Sequence, residues 1–232
     1  MILHDQPTFR CARLFPLTEI AQRLCISRTH LLARRESFKL QFDFAEIVFM
    51  KPELISLDEY LQGEATAKLR HEFVAGQIFA MAGASERHNR ICFAFAEILG
   101  PHLRKHGCRG YLNDMKLRTS NAIYYPDVMA VCDPSDQDQL VKSAPCMIIE
   151  VLSESTERTD RTEKLFAYQQ ISTLRNYLLV AQDKRSVELY RRNGLTWRFE
   201  HYLGDAEIKL DCPAASISLT QIYGDIDFRS VD

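Results

Sequence analysis

Apolar residues recur along this chain with two different periods, and the change of period marks out its elements. Ser56 can cap a short helix reaching about residue 63, and a second helical piece is expected near 64–70. The stretch "EFVAGQIFAMAG" then alternates as two short strands turning at Gly76. Between Ser85 and Lys105, the residues Ile91, Phe95, Ile98 and Leu99 return to one side of a helix, which predicts a long amphipathic element. Beyond it the apolar runs shorten and fill with β-branched residues. Strands are expected near 108–118, 123–132 and 146–152, a helix from about 160 to 171, strands near 176–181 and 185–191, and one more within 195–209. This order predicts a mixed α/β (α+β) domain, a sheet with antiparallel and crossover connections flanked by helices, and not a repeating βαβ chain.

Residues 1–49 do not share this pattern. Within them "LTEIAQRLCISRTHLL" (17–32) resembles part of a helix-turn-helix, with Ile20, Ala21 and Leu24 on one face and Ser27 able to cap a helix carrying Arg28, Thr29 and His30. Cys25 stands where such a turn usually has glycine, and the segment is short for a third helix. The division is therefore an N-terminal extension, 1–49, and a main domain, 50–232. The extension is either a partial helix-turn-helix or not native to the protein.

Composition narrows the class. The chain has 232 residues and a net charge of −2, which gives no overall footprint of non-specific nucleic-acid binding. Between Ser85 and Arg118, however, seven Lys/Arg face three acids, a local basic excess that reads as a phosphate-facing surface or as a solvated face. Seven scattered cysteines, with no CxxC pair and no Cys/His cluster at zinc spacing, suggest a reducing cytoplasmic location without structural metal; no organic cofactor is expected either. No apolar run has membrane-spanning length, and the first residues lack a signal peptide's apolar centre, so neither export nor anchoring is expected.

Two apolar strands are each interrupted by an acid: Asp127 in "YYPDVMAVC" and Glu150 in "PCMIIEVLSES". An unpaired carboxylate in an apolar interior costs several kcal/mol or takes up a proton, so each needs a cation, a donor or a metal. Singly, Asp127 could cap a turn and Glu150 could pair with an arginine. Together on adjacent strands they make an oxygen-rich site for a hard divalent ion. The next segment, "STERTDRTEKLFAYQQ", puts Arg161, Lys164, Tyr168 and Ile171 along one helical face and aims Lys164 back toward the acids, with Tyr168 packing beneath it.

At this point the motifs "HEFVAGQIFAMAG", "HN" (88 and 89), "NDMKLR", "YYPDVMAVC", "IIEVLSESTERTDRTEKLFAY" and "RNYLLVAQDKRSVELYRR" fall in the order and spacing of a known group. From about residue 51 to its end the chain resembles the Uma-two family of restriction endonucleases, within the PD-(D/E)XK nuclease superfamily. The resemblance implies a restriction-endonuclease-like fold and metal-dependent hydrolysis of DNA phosphodiesters with Mg²⁺ or Mn²⁺. It aligns Pro126 and Asp127 with the "PD", Glu150 with the "D/E" and Glu72 with an additional metal-holding acid. Leu152 stands where the motif lysine belongs, and Lys164 from the next helix matches the residue that replaces it. Ala75, Glu154 and Asn176 depart from the usual Asp or Asn, Pro and Glu.

The expected metal ligands are thus Asp127, Glu150 and Glu72, with Lys164 orienting water or neutralising phosphate charge. Arg87, His88, Asn89 and Arg90 at the long helix's start, and Lys116, are candidate nucleic-acid contacts. His88 reads equally as a cap or packing residue, and Asp114 with Lys116 as a cross-strand ion pair. DNA is the expected partner, and one site per chain would favour a two-fold dimer for double-strand cleavage. The other reading is a nuclease-fold DNA-binding or structural protein that does not cut; an RNA substrate is a third.

Overall fold

The computed structural model describes residues 54–228. The 1–49 extension, with its helix-turn-helix-like stretch, lies outside them. Ser56 starts α1 (Leu57–Glu64) through a reciprocal cap: the Glu59 N–H donates to Ser56 Oγ (3.2 Å) and the Ser56 N–H to Glu59 Oε2 (2.7 Å). The helical piece expected at 64–70 does not form. Glu64, buried at the end of α1, instead accepts the His71 N–H (2.9 Å) and faces its Nδ1 (3.0 Å), so the chain turns directly into β1 (His71–Val74). Strand β2 (Gln77–Ala80) pairs back antiparallel through the two-residue turn Ala75–Gly76, with φ of 49° and 89°.

The long helix α2 (Glu86–Lys105) begins where Ser85 Oγ accepts the His88 N–H (3.1 Å). It buries Ile91, Cys92, Phe95, Leu99 and Leu103, while Ile98 sits at the margin of the stripe. Each large apolar side chain so buried contributes about 1.5–3 kcal/mol.

Two of the expected strands break in the middle, and the breaks create two sheets. The first splits into β3 (Arg109–Leu112) and β4 (Lys116–Arg118) around Asn113, whose φ is 45°. The second splits into β5 (Ala122–Tyr124) and β6 (Val128–Val131) around Tyr125, Pro126 and Asp127. Pro126 has no N–H to give a ladder, which favours the break. With β7 (Val141–Lys142), one sheet runs β2-β1-β5-β4-β7. The other continues through β8 (Met147–Val151), β9 (Asn176–Val180), β10 (Ser186–Asn193) and β11 (Thr196–Leu203), in the order β11-β10-β9-β8-β6-β3.

Strands β8 and β9 run parallel, and all their residues are buried, as expected for sheet covered on both faces. Their crossover is α3 (Glu157–Thr159), a π-helical turn (Asp160–Lys164) and α4 (Leu165–Gln169). The single strand expected within 195–209 is instead β11 followed by β12 (Glu207–Asp211), which pairs with β13 (Ala214–Ser218) ahead of α5 (Leu219–Tyr223). Period-two alternation in β8 sends Met147, Ile149 and Val151 into the core shared with α2, and Ile148 and Leu152 into a second core with Tyr168 and Tyr177. Glu150 belongs by alternation to the second face.

The cysteines are not scattered in space. Cys108 is bonded to Cys132 and Cys146 to Cys212, and Cys132 Sγ lies 3.3 Å from Cys146 Sγ and 3.4 Å from Cys212 Sγ. Antiparallel β3 and β6 and the start of β8 bring together residues far apart in sequence, which no spacing motif records.

Candidate active site

Lys164 stands at the centre of the second core, 5 % exposed. Its Nζ lies 3.1 Å from Glu72 Oε1, 3.3 Å from Glu150 Oε1 and 3.2 Å from Asp160 Oδ1. Three elements deliver these acids. In β1, inward His71 and Phe73 alternate with Glu72 and Val74; β8 contributes Glu150 near its end; the π-helical turn sets Asp160 four residues before the lysine. Burial by itself would push the Lys164 pKa down, but Glu150, Glu72 and Asp160 outweigh it and hold the pKa well above the ordinary lysine value.

Burial raises Glu150 well above the usual carboxylate range; Lys164 opposes this, and Asp160, Asp127 and Glu72 add to it. Burial raises Asp160 likewise, against the pull of Lys164. Its Oδ1 has no hydrogen-bond partner despite the nearby ammonium. Tyr168 donates its O–H to Glu150 Oε1 (2.9 Å), so it is a hydrogen-bond partner of the site as well as packing beneath Lys164. Tyr177 donates to the Asp160 carbonyl (3.0 Å), fixing the helical turn above β9.

Asp127 enters from the other side. The Val128–Ile149 pair puts Asp127 and Glu150 on the next rung, where the Asp127 N–H donates to Glu150 Oε2 (3.2 Å). Asp127 Oδ2 accepts the Val151 N–H (2.7 Å) and faces His88 Nε2 (3.1 Å). Behind the imidazole, Cys92 Sγ is 3.6 Å from Nδ1. Burial pushes the Cys92 thiol up, with Asp127 and Glu150 adding to the effect. Asp127 Oδ2 accepts, so Nε2 is the donor toward it, and in the neutral ring Nδ1 is then the acceptor that faces the thiol.

The expected residues Glu72, Asp127, Glu150 and Lys164 are thus brought together, and His88 joins them while its backbone also serves the α2 cap. The other candidates have local roles. Arg87 reaches the carbonyls of Gln182 (3.4 Å) and Asp227 (3.3 Å), and Asn89 donates to the Ser85 carbonyl (3.1 Å). Arg90 is half-exposed, 3.5 Å from Glu86. Lys116 lies over the Tyr125 ring at 5.5 Å, and Asp114 pairs with Arg70 (2.9 Å), not with Lys116. Arg161 is turned away from the site, toward Glu157 and Glu188, and Asp160 takes the inward place expected for it. The signal for Asp160 was its i, i+4 spacing from Lys164 in "DRTEK".

The donor set suits a hard divalent cation. Three carboxylates, Glu72, Glu150 and Asp160, surround one ammonium, with Asp127 beside Glu150; the cluster carries an excess of three negative charges when all four acids are ionised, and Asp160 Oδ1 lacks a donor. Among the described residues, the triads with ligand atoms all within 4.8 Å of one another are His88–Cys92–Asp127 and Cys132–Cys146–Cys212. Glu72, Glu150 and Asp160 gather on Lys164, so the expected triad of Glu72, Asp127 and Glu150 is not itself so close-set. Among these residues no helix is long and apolar enough to cross a membrane.

Fold and site define a restriction-endonuclease-like domain with a lysine-centred acidic site. A crystal structure titled as a "putative nuclease belonging to DUF820" from Anabaena variabilis matches with a TM-score of 0.62 at 18 % identity, covering 73 % of this chain and 98 % of that one. The Uma2 family profile, described as "Putative restriction endonuclease", matches residues 57–221, and the chain belongs to that family. Two proteins of Synechocystis sp. are similar over most of their length: "Uncharacterized protein slr1290" at 34 % identity (75 % of this chain, 94 % of the relative) and "Uncharacterized protein sll1609" at 33 % (70 % and 96 %).

Proposed function

We propose that this chain is a divalent-metal-dependent endonuclease that hydrolyses DNA phosphodiester bonds at the site around Lys164. The observation that carries this reading is the rung shared by Asp127 and Glu150, with Lys164 arriving from the following helix at 3.3 Å from Glu150. Asp127 and Glu150, with Glu72 beside them, would hold Mg²⁺ or Mn²⁺, which when bound polarises the phosphate and lowers the pKa of a water. Each acid is oriented before any cation arrives, Asp127 by the Val151 N–H and His88, and Glu150 by Tyr168 and the Asp127 N–H. Lys164, held charged by its three acids, keeps a proton at Nζ to hydrogen-bond an attacking water or to offset charge building on the phosphate. An anionic diester repels a nucleophile, so a fixed cation close to the reacting oxygen removes part of that barrier.

Supercoiled plasmid incubated with the protein and Mg²⁺ or Mn²⁺ tests this. Nicking that needs the divalent ion and disappears in Asp127→Ala is expected. If wild type retains DNA in EDTA and leaves it uncut in either metal, the protein is a non-cutting DNA binder and the proposal fails.

A further inference from the structure

The end of the sheet opposite the acids holds a second cluster. Asp127 precedes the first residue of β6 and Cys132 follows its last; Cys146 precedes β8, and Glu150 lies near its end. Cys108 sits one rung beyond the Arg109–Val131 pair, opposite Cys132, and Cys212 occupies the turn between β12 and β13. Different parts of the sequence therefore bring the sulfurs of Cys132, Cys146 and Cys212 together, and Cys108 joins them through its bond to Cys132. The two disulfides are not separate staples, because Cys132 Sγ touches both sulfurs of the other pair at 3.3 and 3.4 Å.

From this convergence we propose that the reduced protein binds one Zn²⁺ through the thiolates of Cys108, Cys132, Cys146 and Cys212. Four thiolates around zinc, with Zn–S near 2.3 Å, stand about 3.8 Å apart. The contacts of Cys132 to the other pair are close to that spacing, and the sulfurs of Cys132, Cys146 and Cys212 all lie within 4.8 Å of one another. Such a soft, all-sulfur set selects Zn²⁺ over the hard cations suited to the carboxylates. The surroundings fit a closed structural site. Cys146 is buried and the other three are half-buried, and the Arg109 guanidinium, donating to the Asp133 carbonyl (2.8 Å), sets a positive charge next to Cys132 in the chain. That charge would partly offset the two negative charges of a zinc tetrathiolate.

Conversion from the disulfide form balances with a dithiol reductant. Each disulfide accepts two electrons and two protons from one dithiol, which leaves as its own cyclic disulfide. The four thiols so formed then release four protons on taking up Zn²⁺. The ion would tie β3, β6, β8 and the β12–β13 turn together, clamping from behind the two strands that carry Asp127 and Glu150.

The test uses the full chain, reduced with a dithiol, titrated anaerobically with Co²⁺ and followed by absorption. One equivalent is expected to give intense thiolate-to-cobalt charge transfer with tetrahedral visible bands, both lost when Zn²⁺ is added. Glu150→Gln and Cys92→Ser should leave the spectrum in place, and Cys132→Ser should weaken it. A carboxylate-bound Co²⁺ gives no such charge transfer, so the result does not depend on nuclease activity. If Cys132→Ser fails to fold, the wild-type spectrum alone decides. Reduced wild type with every thiol titratable and no charge-transfer band would overturn the proposal, as would disulfides that persist in the dithiol with no metal bound.

Discussion

Glu150 and Asp127 are each held by the backbone of the other's strand. The Asp127 N–H donates to Glu150 Oε2 (3.2 Å), and Asp127 Oδ2 accepts the N–H next to Glu150, that of Val151 (2.7 Å). The two acids are thus tied to each other across the β6–β8 ladder, and Lys164 adds a bond to Glu150 Oε1 from the opposite side (3.3 Å).

That arrangement has a cost that pH exposes. Burial raises the Glu150 pKa above the ordinary value of 4.5, so the folded state holds this proton more tightly than the unfolded chain does. The stabilisation from this group is complete below the unfolded value and is lost as pH rises through the folded one. Asp160, raised from 3.8, acts with the same sign. Without divalent ions, Glu150→Gln should therefore unfold at higher urea than wild type at neutral pH, and wild type should lose stability more steeply as pH rises above the carboxylate range. Adding Mn²⁺ should raise the wild-type melting temperature and leave Glu150→Gln nearly unmoved. A variant less stable than wild type at neutral pH without metal would show that Glu150 serves as a structural partner of Lys164.

Lys164 is the complement. Lys164→Met would leave Glu72, Glu150 and Asp160 facing each other in a buried site, and removing one partner of a buried ion pair costs about 3–5 kcal/mol. Part of that loss should return in the double variant with Glu150→Gln, since a neutral amide no longer needs the ammonium. Chemical denaturation of the two single variants and the double variant measures the coupling. Stability changes in the double variant that equal the sum of the two single changes would mean that the two side chains do not share the site.

Much of this arrangement was legible in the sequence, for a physical reason. An acid inside an apolar run is costly enough to stand out, which identified Asp127 and Glu150, and the helical spacing aimed Lys164 at them. Asp160 and Arg161 lie four and three residues before Lys164, so helical spacing alone admits either on its face, and the π-helical turn brings Asp160 to the ammonium. The break between β5 and β6 does not show in the pattern because Ile123 and Tyr124 are as buried on one side of it as Val128 and Met129 are on the other, and Tyr125 within it is buried too. Nor does periodicity reveal the cysteine cluster, which is made by tertiary pairing alone.

His88 is the positioning residue for Asp127. With Nδ1 taken by the Cys92 thiol, its Nε2 proton fixes the orientation of the carboxylate, and removing such a partner of a metal-holding group lowers metal affinity or activity by about 10–100-fold. His88→Ala should raise the Mn²⁺ concentration needed for half-maximal nicking, and His88→Gln, which can still offer an N–H, should recover part of it. An unchanged metal requirement in His88→Ala, with the same fold by circular dichroism, would restrict the imidazole to packing.

The turn at Ala75 and Gly76 carries local strain that a single substitution can relieve. Both residues have positive φ, 49° and 89°, because a two-residue hairpin follows the strand twist only in that conformation. Ala in the left-handed region costs roughly 1–2 kcal/mol that Asn largely avoids. Ala75 is exposed and lies on the loop beyond Glu72, so Ala75→Asn should raise the unfolding free energy by about 1 kcal/mol and leave nicking unchanged. Gly76→Ala should act the opposite way, since its new Cβ would stand 2.9 Å from Leu54 Cβ at a φ that L-residues resist. Urea unfolding of the two variants decides the matter, and a neutral or destabilising Ala75→Asn would mean the protein does not hold this turn at positive φ.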